Sequence, residues 1–276
     1  MNLVVQGPKL EARALKDLST LAGSQGLGRL GTNAFRLLDA HLTPEVSAYC
    51  EAHGLDCAEV PEGRRLQDYR LFVTDMDSTL ITIECIDEIA DMHGLKAEVS
   101  AITEAAMRGE LDFRASLSRR VALLEGLPEA ALARVYQERL HLNPGAEALM
   151  AGLKRAGVVT VLVSGGFTYF TDRLKARLGF DYAFANQLEV RSGRLTGRVK
   201  GEIIDGDAKR RALRLVREHH GFARNTVIAA GDGANDLAML AEAGIGVAYH
   251  AKPVVRAQAT HALSHAGLDG ILHLFN

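Results

Sequence analysis

The chain has 276 residues, 47% of them hydrophobic and 24% charged, with 34 acidic against 32 basic side chains and a formal charge of -2 at pH 7. This is globular composition, long enough at roughly 100–200 residues per domain for one large or two smaller domains, and it excludes disordered, collagen-like and disulfide-scaffold chains. The near-neutral balance lacks the basic footprint that nucleic acid requires, and no run approaches the ~18 apolar residues of a membrane span, so neither partner is expected.

Met1 to Lys16 has no apolar core of signal-peptide length. Cys50, Cys57 and Cys85 form no CxxC pair and read as reduced thiols, so a zinc site is not expected and the expected location is cytoplasmic. Residues 1–68 mix short apolar stretches with Gly-rich and polar segments, which reads as a small N-terminal unit, open to a regulatory role, and a linker. Within it, Gly26-Leu27-Gly28-Arg29-Leu30-Gly31 satisfies G-x-G-x-x-G, but Leu15 to Ala22 before it is helical in pattern and not a strand. A dinucleotide site is therefore not expected.

Arg70 to Thr74 is a short apolar strand that runs into an acidic turn. Residues 84–140 show helical spacing throughout, with Ile86, Ile89 and Ala90 on one face, and read as an all-helical insertion. Ala146 to Ala156 reads as a helix, Gly157 to Val163 as a buried parallel strand, and Phe167 to Leu178 as a helix. Leu188 to Leu195 reads as a hairpin turning at Ser192-Gly193. Asp207 to His220 is helical, Thr226 to Ala230 a strand and Asn235 to Ala243 a helix, with Gly244 placed as a helix C-terminal glycine. The alternation predicts an α/β protein with a doubly wound parallel sheet made of residues 69–83 and 141–276, an inserted helical cap at 84–140 and a small N-terminal α+β unit at 1–68.

Ligands in such sheets bind beyond the carboxyl ends of the strands. Here those ends read Asp75-Met76-Asp77-Ser78-Thr79, Ser164-Gly165-Gly166 and Gly231-Asp232-Gly233-Ala234-Asn235-Asp236. Residues i and i+2 of an extended segment share a direction, so Asp75 and Asp77 are expected close together, joined by Asp232. Carboxylates so gathered need a hard cation, and oxygen-only ligands suit Mg²⁺. Ser164 and the adjoining glycine amides are read as the opening of the next helix, an anion-binding arrangement, and Lys209 could reach the same pocket. Singly, each segment is usually a solvated turn; their coincidence at three strand tips points to phosphoryl transfer.

DMDST at 75–79, SGG at 164–166, DAK at 207–209 and GDGAND at 231–236 resemble the four motifs of the haloacid dehalogenase superfamily. ECIDEIA (84–90), MRGELDF (107–113), SLSRRV (116–121), VSGGF (163–167) and DYAFAN (181–186) extend the likeness to its phosphoserine phosphatases, over about residues 69–270. Met76 stands where that pattern has Phe, a buried apolar exchange. The resemblance implies hydrolysis of O-phospho-L-serine to L-serine and phosphate, the last step of serine synthesis. Asp75 matches the nucleophile that becomes a phosphoaspartate, and Asp77 the acid that protonates the leaving oxygen and then activates water. Asp75, the Asp77 carbonyl and Asp232 match Mg²⁺ ligands; Ser164, Gly165 and Lys209 match phosphate ligands, Asn235 a substrate-binding position and Asp236 a loop support. Glu84 and Arg120 match the positions that meet the substrate ammonium and carboxylate, and Met107 and Phe113 its apolar wall. The expected partner is thus a small molecule, with a homodimer left open.

A charge count agrees. A phosphomonoester brings about -2, Asp75 and Asp232 add -2, and Mg²⁺ and Lys209 return +3, so Asp77 should be protonated when substrate binds. The competing readings are a phosphotransferase that passes the group to homoserine and a phosphorylated signalling receiver. A cap over the site argues against the receiver. His261 and His265, four apart, have no accompanying ligand pattern and read as core-margin histidines.

Overall fold

A computed structural model describes residues 1–275, without the side chain of Met107. The part expected of Met107 in the apolar wall therefore lies outside the described residues. Two sheets form. The first joins β1 (Asn2–Gln6), β2 (Gly26–Gly31), β3 (Ala34–Leu38) and β4 (Asp56–Val60) in the antiparallel order β2-β3-β1-β4, with α1 (Ala12–Leu21) and α2 (Pro44–Ala52) packed on it. The glycine-rich G-x-G-x-x-G segment is itself the edge strand β2, so it makes no phosphate-binding turn.

The second sheet contains β5 (Leu71–Thr74), β6 (Val159–Phe167), β7 (Tyr182–Arg191), β8 (Arg194–Lys200), β9 (Val227–Gly231), β10 (Ile245–Tyr249) and β11 (His261–Leu263), in the order β11-β10-β9-β5-β6-β7-β8. All neighbours are parallel except β7 and β8, the expected hairpin. The central strands show why both faces are covered. Leu71 and Val73 point to one core and Phe72 to the other, as Val227 and Ala229 oppose Ile228 and Ala230. At about 1.5–3 kcal/mol for each fully buried large apolar side chain, this two-sided burial is what holds parallel strands together. Phe72, 1% exposed, is a position where truncation to Ala should cost about 3–5 kcal/mol.

Chain order places β6 on one side of β5 and β9 on the other, so the crevice at the switch point opens beside Asp75. Five helices stand between β5 and β6, of which the first four are α3 (Cys85–Asp91), α4 (Lys96–Met107), α5 (Phe113–Ala122) and α6 (Ala130–Glu138). Asp112 caps α5 by accepting the Ala115 N–H at 2.7 Å. The remaining helices are α7 (Ala146–Arg155), α8 (Thr168–Leu178), α9 (Gly206–His219), α10 (Leu237–Glu242) and α11 (Pro253–Arg256).

Two local expectations fail. Gly244 follows α10 after one residue but lacks a positive φ; a Cβ there would lie 2.6 Å from the Asn225 carbonyl oxygen, so close backbone approach is what requires glycine. Ser164 to Gly166 do not open a helix: β6 continues to Phe167, which pairs with Asn186, and α8 starts at Thr168. No helix among the described residues is long and apolar enough to cross a membrane.

The small sheet is fastened to the C-terminal end of the chain. Buried Asp56 accepts the N–H groups of Ser264, His265 and Ala266 at 2.7, 3.0 and 2.8 Å. Gln6 donates to the Gly270 carbonyl at 3.1 Å, and Arg36 to that of Phe275 at 2.8 Å. Val4, Ala58 and Val60 share a core with Tyr249, Ile271 and Leu274.

Candidate active site

The tip of β5 presents Asp75, 5% exposed, where a short buried strand meets a tight turn. One carboxylate oxygen accepts the Met76 N–H at 2.7 Å, and the other lies 2.8 Å from Lys209 Nζ. Both oxygens are thereby aimed. Burial pushes this carboxyl well up, Asp236 adds to the push, and Lys209 opposes it.

Lys209 rises from the first turn of α9, which Asp205 caps by accepting the Ala208 N–H at 2.9 Å. The ammonium is fully buried and bridges Asp75 and Asp236, each at 2.8 Å. Burial alone would lower its pKa, but Asp236 and Asp75 outweigh it and the net shift is upward, so Lys209 is charged. Asp236 is held in turn by the Gly233 N–H at 3.0 Å.

Carboxylate oxygens of Asp75, Asp232 and Asp236 lie within 4.8 Å of one another. Three acids face one lysine, and Asp232 is pushed up to about 6, first by burial and then by Asp236. An oxygen-only donor set short of positive charge fits a hard divalent cation. Asp236, expected only as loop support, is part of this cluster.

The Asp77 carboxylate takes another direction. It accepts the Cys85 N–H at 3.0 Å on one oxygen and the Ser164 hydroxyl at 3.2 Å on the other. Burial raises its pKa, partly opposed by these hydrogen bonds. Ser164 also accepts the Gly166 N–H at 2.8 Å. The β6–β7 register breaks between Val163 and Phe167, and this irregularity, rather than a helix terminus, shapes the cradle. A Cβ on Gly166 would sit 2.5 Å from Asp77 Oδ2.

On the facing wall, Phe113 opens α5 close over Gly165, where a Cβ would come within 2.8 Å of the ring. Glu84 precedes α3 and accepts the Ser78 hydroxyl at 2.7 Å. Its carboxyl is pushed up to about 8 by desolvation and by Asp77, a push tempered by the water that reaches its outer edge. Arg120, half-buried in the last turn of α5, is lowered by burial against the opposing fields of Asp87, Glu84 and Asp77. Asn235 lies in the short 3-10 turn Ala234–Asp236 after β9, and its backbone carbonyl approaches Gly206 at the start of α9.

Three supporting residues escaped sequence reasoning. Thr79 donates to Asp232 at 2.8 Å. Asn143, shortly before α7, donates to the carbonyls of Thr79 and Ile81 at 2.8 and 3.1 Å and so fixes the turn after Asp77. Asn186 donates to the Gly165 carbonyl at 2.7 Å and accepts the Ile204 N–H at 2.8 Å, tying β6 to the segment before α9. A polar Asn ending an apolar strand run was the available signal. His261 and His265 take no part in the acidic cluster; burial lowers His261 to about 4.

The family profile described as haloacid dehalogenase-like hydrolase matches residues 72–241, and a profile described as a domain of unknown function matches residues 3–46. A phosphoserine phosphatase of a Polaromonas species is 54% identical over 215 residues, covering 76% of this chain and 91% of the relative. The unliganded crystal structure of a probable phosphoserine phosphatase from Vibrio cholerae superposes with a TM-score of 0.87 at 41% identity, covering 99% of this chain and 85% of that one. A structure described as a phospho-aspartyl intermediate analogue of phosphoserine phosphatase gives 0.70 at 40% identity, covering 75% and 99%. With a buried aspartate, its lysine and an acidic cluster gathered at the switch point of the sheet, the chain belongs to the haloacid dehalogenase-like hydrolases and, among them, to the phosphoserine phosphatase family.

Proposed function

We propose that this enzyme hydrolyses O-phospho-L-serine to L-serine and phosphate through a phosphoaspartate on Asp75. The observation that carries the reading is the contact of Asp77 with Ser164 beside buried, lysine-bound Asp75. A proton donor, an anion cradle and an aimed nucleophile thus meet at one point. The named activity of the relatives supports the substrate, and the likeness to the phospho-aspartyl analogue supports the covalent step.

The phosphate would seat against the Ser164 hydroxyl, Gly165 and Lys209, with Asn235 at its edge. An Asp75 oxygen attacks phosphorus as the P–O bond to serine breaks, and Asp77 gives its proton to the departing oxygen. Asp77, now ionised, takes a proton from water, which attacks the same phosphorus and returns Asp75 as a carboxylate with release of phosphate. Mg²⁺, held by Asp75, Asp232 and the Asp77 carbonyl with Asp236 beside them, would supply the positive charge that offsets the phosphoryl oxygens. Glu84 and Arg120 would receive the ammonium and carboxylate under a cap formed by residues 84–140, while Phe113 keeps water from the reacting end.

Phosphate release from phosphoserine with Mg²⁺, with excess chelator, and with homoserine as an added acceptor tests the reaction. Free phosphate in stoichiometric amount with serine is expected whether or not homoserine is present. Borohydride quenching during turnover should reduce the acyl phosphate and leave residue 75 as homoserine by peptide mass. Turnover with no such mark would remove the covalent step.

A further inference from the structure

Three buried side-chain atoms in the cap have no hydrogen-bond partner among the described residues: Asp87 Oδ1 and Glu88 Oε2 on α3 and Arg120 Nε on α5. Glu88 Oε2 has an ion partner in Arg139 at 3.4 Å, which leaves Asp87 and Arg120, of opposite charge. Buried polar atoms are seldom left unpaired in a finished core, so such a pair marks a place completed by something else. Asp87 stands in the first turn of α3, which the extended Glu84 precedes, and its field reaches Glu84. The neighbouring acids of α3 are already engaged. Glu88 and Asp91 lie 3.4 and 3.5 Å from Arg139, and Asp91 also meets Lys96 at 3.2 Å. Of the acids whose fields act on Arg120, Asp87 acts most strongly, ahead of Glu84 and Asp77, while Arg120 leads Lys96 among the cations acting on Asp87.

Resting on the reading that Arg120 meets a substrate carboxylate, we propose that Asp87 is a positioning residue that holds the Arg120 guanidinium in the cap and thereby sets the preference for carboxylate-bearing phosphomonoesters. Asp87 touches no reacting atom. Its field acts on the Arg120 guanidinium, which is charged in any case, and favours its staying in the half-buried wall. A bound carboxylate then finds its partner already aimed, which lowers the ordering cost of binding.

The full-length chain carrying Asp87→Asn or Asp87→Glu should be compared on phosphoserine, 3-phosphoglycerate (carboxylate without ammonium), phosphoethanolamine (ammonium without carboxylate) and p-nitrophenyl phosphate, as substrates or competitive inhibitors. Asp87→Asn should lower kcat/KM or weaken inhibition about tenfold for the two carboxylates, chiefly through KM, and less than about twofold for the other two. Asp87→Glu should restore part of the loss, and Asp87→Asn should add nothing in an Arg120→Ala background. Equal losses on all four compounds would make Asp87 a structural residue and overturn the proposal. So would a loss on phosphoethanolamine that spares 3-phosphoglycerate, which means direct ammonium binding, or additivity with Arg120→Ala. A wild type with no preference for phosphoserine over p-nitrophenyl phosphate would remove the substrate assignment, while the contrast between the two single-group analogues would still decide the part played by Asp87.

Discussion

The strand tips and the facing cap wall contribute charged groups to one crevice, but they are finished to different degrees. At the tips, Asp75, Lys209 and Asp236 form one set and Asp77 and Ser164 another, and in both each side chain has a protein partner at 2.7–3.2 Å. On the wall, Arg120 and Asp87 keep buried atoms without partners, and water reaches Glu84. The difference follows from what each region must recognise. The phosphoryl group is the same in every phosphomonoester, so its receptor can be completed in advance by rigid strands. A head group varies, and the wall that selects it gains discrimination when its own polar atoms depend on the ligand for partners.

If the tips supply the chemistry, damage there should be indifferent to the head group. Asp75→Asn should lower turnover by about 10⁴-fold or more on phosphoserine and aryl phosphate alike, because the amide neither attacks phosphorus nor balances Lys209. Near-normal rates in steady-state assays would break the assignment.

Damage to the wall should divide the substrates. Arg120→Ala is expected to cut kcat/KM for phosphoserine about a hundredfold and that for p-nitrophenyl phosphate much less. Equal losses on both would show that the wall serves the fold or the phosphate.

The metal-free protein offers a third comparison through pH. Asp232 has an ordinary value of 3.8 and is raised to about 6 in the folded chain. A raised carboxyl favours folding fully below about pH 4, and that contribution is lost as the pH climbs through 6. Asp232 should therefore contribute a fall of about 2 kcal/mol over that window in thermal melts, and Asp232→Asn should lessen the total fall by that share. Saturating Mg²⁺ should raise Tm more at pH 7.5 than at pH 5. A cation effect independent of pH would detach Asp232 from the metal.

The smallest expected effect lies at the seam between the two regions. Arg114 of α5 reaches Asp205 and Glu202 at 2.6 and 3.2 Å across exposed surface. Arg114→Ala should cost no more than about 1 kcal/mol in chemical denaturation. A much larger loss would mean that cap and sheet unfold as one cooperative body through this contact.

How legible the site was depended on how many residues carry each part of it. Asp75, Asp77 and Asp232 stand in short motifs at the ends of apolar strands, where acidic residues are conspicuous, and the alternation of strands and helices put those ends on one edge. Asn143 and Asn186 act singly, on partners that the fold alone brings near: Asn143 reaches Thr79 across 64 positions. The Ser164-Gly165-Gly166 segment misled because glycine after a strand resembles a helix entry, whereas the Asn186 contacts keep it extended and irregular. The N-terminal unit is α+β as read, but its strand arrangement was hidden because one strand, Gly26–Gly31, is half glycine and has little periodicity to read.

The fastening of Asp56 to Ser264, His265 and Ala266 spans up to 210 positions of sequence. During synthesis at about 5–20 residues per second, the first sheet emerges some 10–40 seconds before its docking partner exists. Val4, Ala58 and Val60 must spend that interval without the Ile271 and Leu274 that finally cover them. The nascent chain thus carries an open apolar face while about 200 further residues are added. A ribosome stalled near codon 250 should hold a species that binds hydrophobic dyes and chaperones, and the last two dozen residues should abolish that binding.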